Sequence, residues 1–447
     1  MHRRDLNPAS PAAALLSTAA IRARCANVAA AVSAGASRHF RIDRARLGVA
    51  AAEVEAVTRS RYPDLRIPYH SRWRHFEVGG IDRAAELSAA LAGGDTAQCV
   101  RARIDLTVVS VLLDAGAGPG WSYREAATGQ RLTRSEGLGV ASFRAFMDGA
   151  FSARRDDPQR VDAAALATID AAQITDIFQA GSDNPLVGID GRAALLRRLG
   201  GALRAQPDIF GVEARPGALY DTLRATGTGT ANAVAATAVS ASAVSASAVS
   251  ATAVSATAVS AGEVADTEVA APALLRALLD GLGSIWLAGN VLDGVPLGDA
   301  WRHPHAGGDG ITSGWVPFHK LSQWLAYSLF EPLESAGLSI SDRDALTGLP
   351  EYRNGGLLID TGVLSLVDPS AANGPHNVGS ELVVEWRALT VTLIDELATL
   401  VRARLGTPHL PLACILEGGT WAAGRVLAQR LRGGEPPLTI RSDGTVF

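Results

Sequence analysis

Between residues 314 and 360 the chain reads GWVPFHKLSQWLAYSLFEPLESAGLSISDRDALTGLPEYRNGGLLID. Lys320 stands at the start of an apolar helical run. Glu351, Tyr352 and Arg353 follow a loop and are framed by Pro350 and by Gly355-Gly356. A lysine, a carboxylate, a ring and an arginine on short elements can hold an anion and handle a proton. A carboxylate in apolar, proline-bounded surroundings must find a partner or shift its pKa upward. Arg353 and Lys320 are the candidate partners, and both keep Glu351 ionised. An ionised carboxylate beside a pocket stabilises a developing oxocarbenium ion or orients a water. The competing reading is an arginine–glutamate pair that only holds the fold.

Other residues join this set as walls. Arg72, Trp73, Arg74 and His75 form the most aromatic and basic patch of the first half. Polar-tipped rings beside arginines suit a small anionic or planar ligand; otherwise Trp73 plugs the core and the arginines face water. His319 lies beside Lys320 at the expected mouth. Glu385 and Arg387 flank Trp386, and Glu417 and Trp421 bracket a second acid–glycine–aromatic cluster. With Tyr352, these residues and Asp360 make up the expected substrate-binding group, and Asp360, Glu385 and Glu417 are its further carboxylates. His303 and His305 fall short of the three or four protein ligands that zinc requires. No metal and no cofactor are expected.

These side chains need elements to carry them. Pro317 suits the first turn of a helix, with Leu321, Trp324, Leu325 and Leu329 as its buried stripe, running to about Leu329 or Pro332. A lysine near the positive end of a helix does nothing for helix stability, which points to a binding role for Lys320. Glu381–Leu405 is the clearest amphipathic helix, with Leu382, Trp386, Leu389, Leu393 and Leu397 three and four apart. Thr96 to Asp114 reads as another, and places Arg101 four residues before Asp105, where they can pair. Helical patterning also covers Pro11 to Val57, Asp82 to Leu91, Asp162 to Gln179, Arg192–Leu199 and Arg215–Leu223. β-Branched runs of strand length are scarce, so extended structure is expected only in pieces such as Leu438–Ile440. The fold class is mainly α and multi-helical.

Ala236 to Ser260 is five consecutive five-residue units of the ATAVS/ASAVS type. A period of five keeps no face on a helix or a strand, so the stretch reads as an inserted linker without chemistry. The expected organisation is therefore an N-terminal helical half (1–227), the insertion (228–267) and a C-terminal helical half (268–447) carrying the site.

The totals restrict function. Forty-one basic against forty-five acidic residues give a net charge of −4, which argues against a nucleic-acid binder. Three scattered cysteines suit a reducing compartment. No stretch approaches a membrane span, and the arginine-bearing start reads as a helix rather than a secretory signal. A cytoplasmic protein is expected, with no membrane partner.

Six stretches carry a family resemblance: RWRHF at 72–76, SDNPLVG at 182–188, GWVPFHKLSQWL at 314–325, LTGLPEYRNGGLLID at 346–360, SELVVEWRALTV at 380–391 and LEGGTWAAGR at 416–425. Together they resemble a family of uracil-catabolism proteins, a helical domain of unknown function found in fungi and bacteria. The resemblance spans nearly all of the chain except the repeat. It implies a nucleotide-derived small-molecule substrate, phosphorylated on its ribose, from which urea eventually leaves. A more distant likeness joins the Pro-aromatic-x-Lys start and the acid-Tyr-Arg turn to queuosine nucleotide glycosylases. That likeness implies a relation to helix–hairpin–helix DNA glycosylases. It also implies a catalytic carboxylate at Glu351, with Arg353 and Lys320 beside it. Glutamate here, in place of that family's aspartate, is a departure of one methylene. The expected reaction is hydrolysis of an N-glycosidic bond to a ureido group. An amidohydrolase or deaminase step on a ring-opened pyrimidine nucleotide, and a non-catalytic partner of pathway enzymes, are the alternatives.

Overall fold

The computed structural model describes residues 10–227 and 267–441, so the five-residue repeats lie outside the described residues. The protein is mainly helical. The elements that build the site are α1 (Thr18–Ser33), β1 (Phe40–Ile42), α2 (Leu47–Arg61), α3 (Thr96–Leu112), α4 (Arg134–Met147), β2 (Ala300–Arg302), β3 (Trp315–Pro317), α5 (Lys320–Glu334), α6 (Tyr352–Asp360), β4 (Leu364–Leu366), α7 (Glu381–Leu405) and α8 (Trp421–Arg432). The named strands of the described residues pair only two at a time, among them antiparallel β1 with β4 and β2 with β3.

The centre is α5. Every residue from Leu321 to Phe330 is buried, polar ones included. The stripe read from the sequence is there, but Gln323, Tyr327 and Ser328 are as hidden as the leucines. A helix covered on all sides belongs in the middle of a protein. It packs on α3, while α1 and α2 pack on α7, and α6 on α8. Segments from both ends of the chain therefore share one core.

Several expectations change on contact with this packing. Pro317 does not start a helix; it ends β3, opposite Ala300. Helix α5 begins three residues later at Lys320, after His319 in a left-handed conformation at φ 48°. Its first amide, that of Lys320, is capped from elsewhere in the chain by the Asp299 carboxylate at 3.0 Å. Asp105 does not pair with Arg101. It is fully buried and bonds Arg215 at 2.6 Å and the amides of Val161 and Gly217, whereas Arg101 pairs with Asp221. The four-residue spacing permitted a surface pair, but that side of α3 faces the interior. The helical reading of Pro11 to Val57 is broken by β1, and Asp162 to Gln179 holds two short helices, Ala163–Leu166 and Ala171–Ile177.

Candidate active site

Glu351 is the N-cap of α6. Its two oxygens accept the backbone N–H groups of Asn354 at 2.5 Å and Arg353 at 2.8 Å. This is the standard use of an acidic side chain at a helix start, and here it fixes the carboxylate rigidly while leaving each oxygen a free lone pair. Burial pushes the Glu351 carboxyl above the usual carboxylate range; the two N–H bonds and the charges of Lys320 and Arg353 oppose that rise. Lys320 shows the reverse. Burial pushes its amine below the usual lysine range, against the charge of Glu351, which favours the ammonium form. Both side chains keep some exposed surface, so crowded flanks combine with an open side, as in a recess.

One buried ion pair sets this geometry. Arg387, on α7, bonds both oxygens of Asp299 at 2.7 Å. It also donates through Nε to the carbonyl of Pro350, the residue before Glu351, at 3.3 Å. Asp299 in turn caps Lys320, and its carbonyl accepts from Phe318 and His319. The Lys320 turn and the Glu351 turn are thereby tied to one guanidinium. Gln323 adds a second tie, bonding the amide and hydroxyl of Thr347.

The far side of α6 is held by close approach. A Cβ built on Gly424 of α8 would lie 2.1 Å from the Arg353 carbonyl oxygen, so only glycine fits. Gly424→Ala should push α8 off α6 and destabilise the protein by about 1–3 kcal/mol, the usual range for overpacking. A thermal melt checks it, and an unchanged midpoint would refute the close-contact argument.

The arginine patch divides. Arg72 is fully buried, bonds Ser110 at 2.6 Å and lies 3.2 Å from Asp114 at the end of α3. It faces the Trp324 ring of α5, its guanidinium carbon 5.7 Å from the centroid, and His75 meets the same ring edge-on at 5.8 Å. Lys320 and Trp324 are one turn apart on a common face, and the Asp114 charge acts on Lys320. Arg72 and His75 thus lie against the ring that stands one turn along α5 from Lys320. Glu136 of α4 is electrostatically linked to His75 and pairs with Arg425, which lies over Trp421.

Other expected site residues are placed elsewhere. Trp73 is in the core, its N–H on the Ser328 carbonyl and its ring edge against Phe76. Arg74 pairs with Glu331 and Glu77. His319 is buried with Nε2 on the Leu15 carbonyl, so it is no part of a mouth. Asp360 pairs with Arg432, and Glu385 bonds Ser37 and His303. Glu417 is clamped by Arg61, Tyr62 and His70. Arg353 does not reach back to Glu351; its guanidinium bonds the Gly434 carbonyl and lies over Tyr352 at 4.7 Å. In each case a buried or half-buried charge has taken the partner that packing put nearest. Asp114, Trp324, Glu136 and Asp299 were not singled out by the sequence. Asp114 had one signal, an acid ending an apolar helix directly before a glycine-rich turn.

A cleft of 680 Å³ lies away from this recess, lined by Arg101, Arg154, Arg160, Arg215, Glu213 and Asp221 among others. Each of those arginines is already in an ion pair, so the cleft is a poor match for a charged ligand.

Fold and site together define a mainly helical protein with a capped carboxylate and an amine held on neighbouring helix starts. Residues 14–447 match the family described as "Protein of unknown function (DUF1688)", and the chain belongs to that family. It is 38% identical over 408 residues to "Uracil catabolism protein 4" of Lachancea kluyveri, covering 85% of each chain. It is 35% identical over 445 residues to "Protein urg3" of Schizosaccharomyces pombe, covering 97% of this chain and 98% of that protein. No helix among the described residues is long and apolar enough to cross a membrane.

Proposed function

We propose that this protein takes part in uracil degradation, as the name of its Lachancea relative suggests, and that it hydrolyses the N-glycosidic bond of a ribosylurea, phosphorylated on the ribose. The observation that carries the reading is Glu351, a carboxylate pinned at a helix start beside the Lys320 charge. Glu351 orients a water against C1′ and offsets the positive charge that develops on the sugar. The water oxygen bonds to C1′ as the C1′–N bond breaks. One water proton passes to Glu351, the departing ureido nitrogen takes one up from solvent, and urea and ribose phosphate leave. Lys320 contacts the sugar or its phosphate.

Incubating the protein with N-ribosylurea 5-phosphate and following free urea and reducing sugar tests this. Both should appear in equal amounts. Ammonia without sugar release would instead indicate an amidohydrolase or deaminase. No turnover of any ring-opened pyrimidine nucleotide would leave a binding role.

The pH profile gives an independent check. The chemistry needs Glu351 ionised and Lys320 protonated. Burial raises the first group above its ordinary value of 4.5 and lowers the second below 10.5. The acid limb of activity should therefore sit above the ordinary carboxylate range, and the alkaline limb below the ordinary lysine range. In Lys320→Met the lost cation should move the acid limb further up and raise KM. An acid limb that stays in place would separate the two groups and end this pairing.

A further inference from the structure

Resting on the hydrolase reading, we propose that Arg72, His75, Asp114 and Trp324 form a leaving-group subsite for a ureide, a planar group with a carbonyl acceptor and N–H donors. Four buried polar atoms here lack hydrogen-bond partners: Nη2 of Arg72, Nδ1 of His75, Nε1 of Trp324 and Oδ1 of Asp114. The last lies 3.2 Å from Arg72 Nη1 without the alignment of a hydrogen bond. Arg72 is 0% exposed and Trp324 7%. Buried polar groups are satisfied as a rule, and Arg72 and His75 both meet a single indole within 6 Å, while Asp114 lies against Arg72. Their chemistry is complementary to one kind of ligand. Nη2 of Arg72 and Nε1 of Trp324 are donors without an acceptor, suited to a carbonyl oxygen. Asp114 faces Arg72 as an ion pair without an aligned hydrogen bond to its Oδ1, and that oxygen keeps acceptor capacity suited to an amide N–H. The imidazole of His75 serves either way.

Placement supports the same assignment. Trp324 follows Lys320 by four residues on α5, a rise of about 6 Å, which suits a furanose ring and the group on its C1′. The sugar would face Lys320 and Glu351, and the ureide would lie on the indole. Gly139 of α4 backs directly onto the pair: a Cβ there would lie 2.9 Å from His75 Cβ and 3.3 Å from Arg72 Cζ, so α4 holds both side chains in place.

Calorimetric titration tests the subsite separately from turnover. With Glu351→Gln protein, N-ribosylurea 5-phosphate should bind at least about tenfold tighter than ribose 5-phosphate, the difference of one or two good polar contacts. Adding Trp324→Phe, which keeps the ring but removes the N–H, should bring that ratio toward one. Asp114→Asn is a second route to the same loss, and thermal melts of both confirm folding. Equal affinity for the two ligands, or an unchanged ratio in both folded variants, overturns the subsite. A protein that prefers the ureide yet releases no urea keeps the subsite and rejects hydrolysis. One that releases urea without preference does the opposite.

Discussion

Replacing Glu351 with glutamine is expected to leave a folded protein whose turnover falls by about a hundredfold or more, the order lost when a positioned acid–base group is removed. The cap complicates the experiment in a useful way. Each N–H now meets its own Glu351 oxygen, and in glutamine one of those positions becomes an amide nitrogen that cannot accept. A stability loss of about 1 kcal/mol follows from that alone. Glu351→Ser separates the effects, because serine is a good N-cap without charge. The serine variant should melt close to the parent and still lose turnover as severely as the glutamine variant. Glu351→Asp keeps both cap and charge and should retain more activity than either. If activity instead follows the folded fraction across the series, Glu351 only starts a helix, and the glycosidase reading falls at this position.

The second large effect is expected at Arg387. Its pair with Asp299 is buried, and breaking such a pair by removing one partner costs about 3–5 kcal/mol, since the other charge stays buried without compensation. Arg387→Met should show that loss in a denaturant titration. The pH dependence has a definite sign. Burial alone would raise the Asp299 carboxyl, but the charge and hydrogen bonds of Arg387, with the Trp301 N–H and the Lys320 amide, outweigh it and hold it at about 2. That value is depressed from 3.8, so the contribution is fully present above the unfolded value and fades as pH falls through about 2. The double variant Asp299→Leu/Arg387→Met should recover much of the stability, since it buries no lone charge. It should not recover activity, because Lys320 and Pro350 lose their common anchor. A double variant with normal turnover would show that the pair positions nothing.

Local patterns were legible in the chain. Leucines and a tryptophan spaced three and four apart define Glu381–Leu405, and the helix has those bounds. Lys320 was expected at a helix start and Glu351 beside a turn, and both are there, because caps and turns are decided by neighbours within a few residues. The long family motifs likewise pointed to the family that residues 14–447 match.

The choice of partners was not legible. Glu385 and Arg387 were expected in the substrate-binding group as flanks of Trp386, yet the first turns of that helix are buried on every side, and each charge found its counterpart in a distant segment. Glu417 resembles a free carboxylate until His70 and Arg61 are folded against it. Trp324 was assigned to the apolar stripe, and only the approach of Arg72 and His75 makes its N–H a feature of the site. The sequence by itself determined the long periodic helices such as Glu381–Leu405 and the placing of Lys320 near a helix start and Glu351 beside a turn, since those follow from periodicity and short-range hydrogen bonding. The tertiary structure alone decided which partner each buried charge took. Desolvation obliges a buried charge to take whatever opposite charge packing places beside it, and a helix covered on all sides gives no sign in its own sequence of which face that will be.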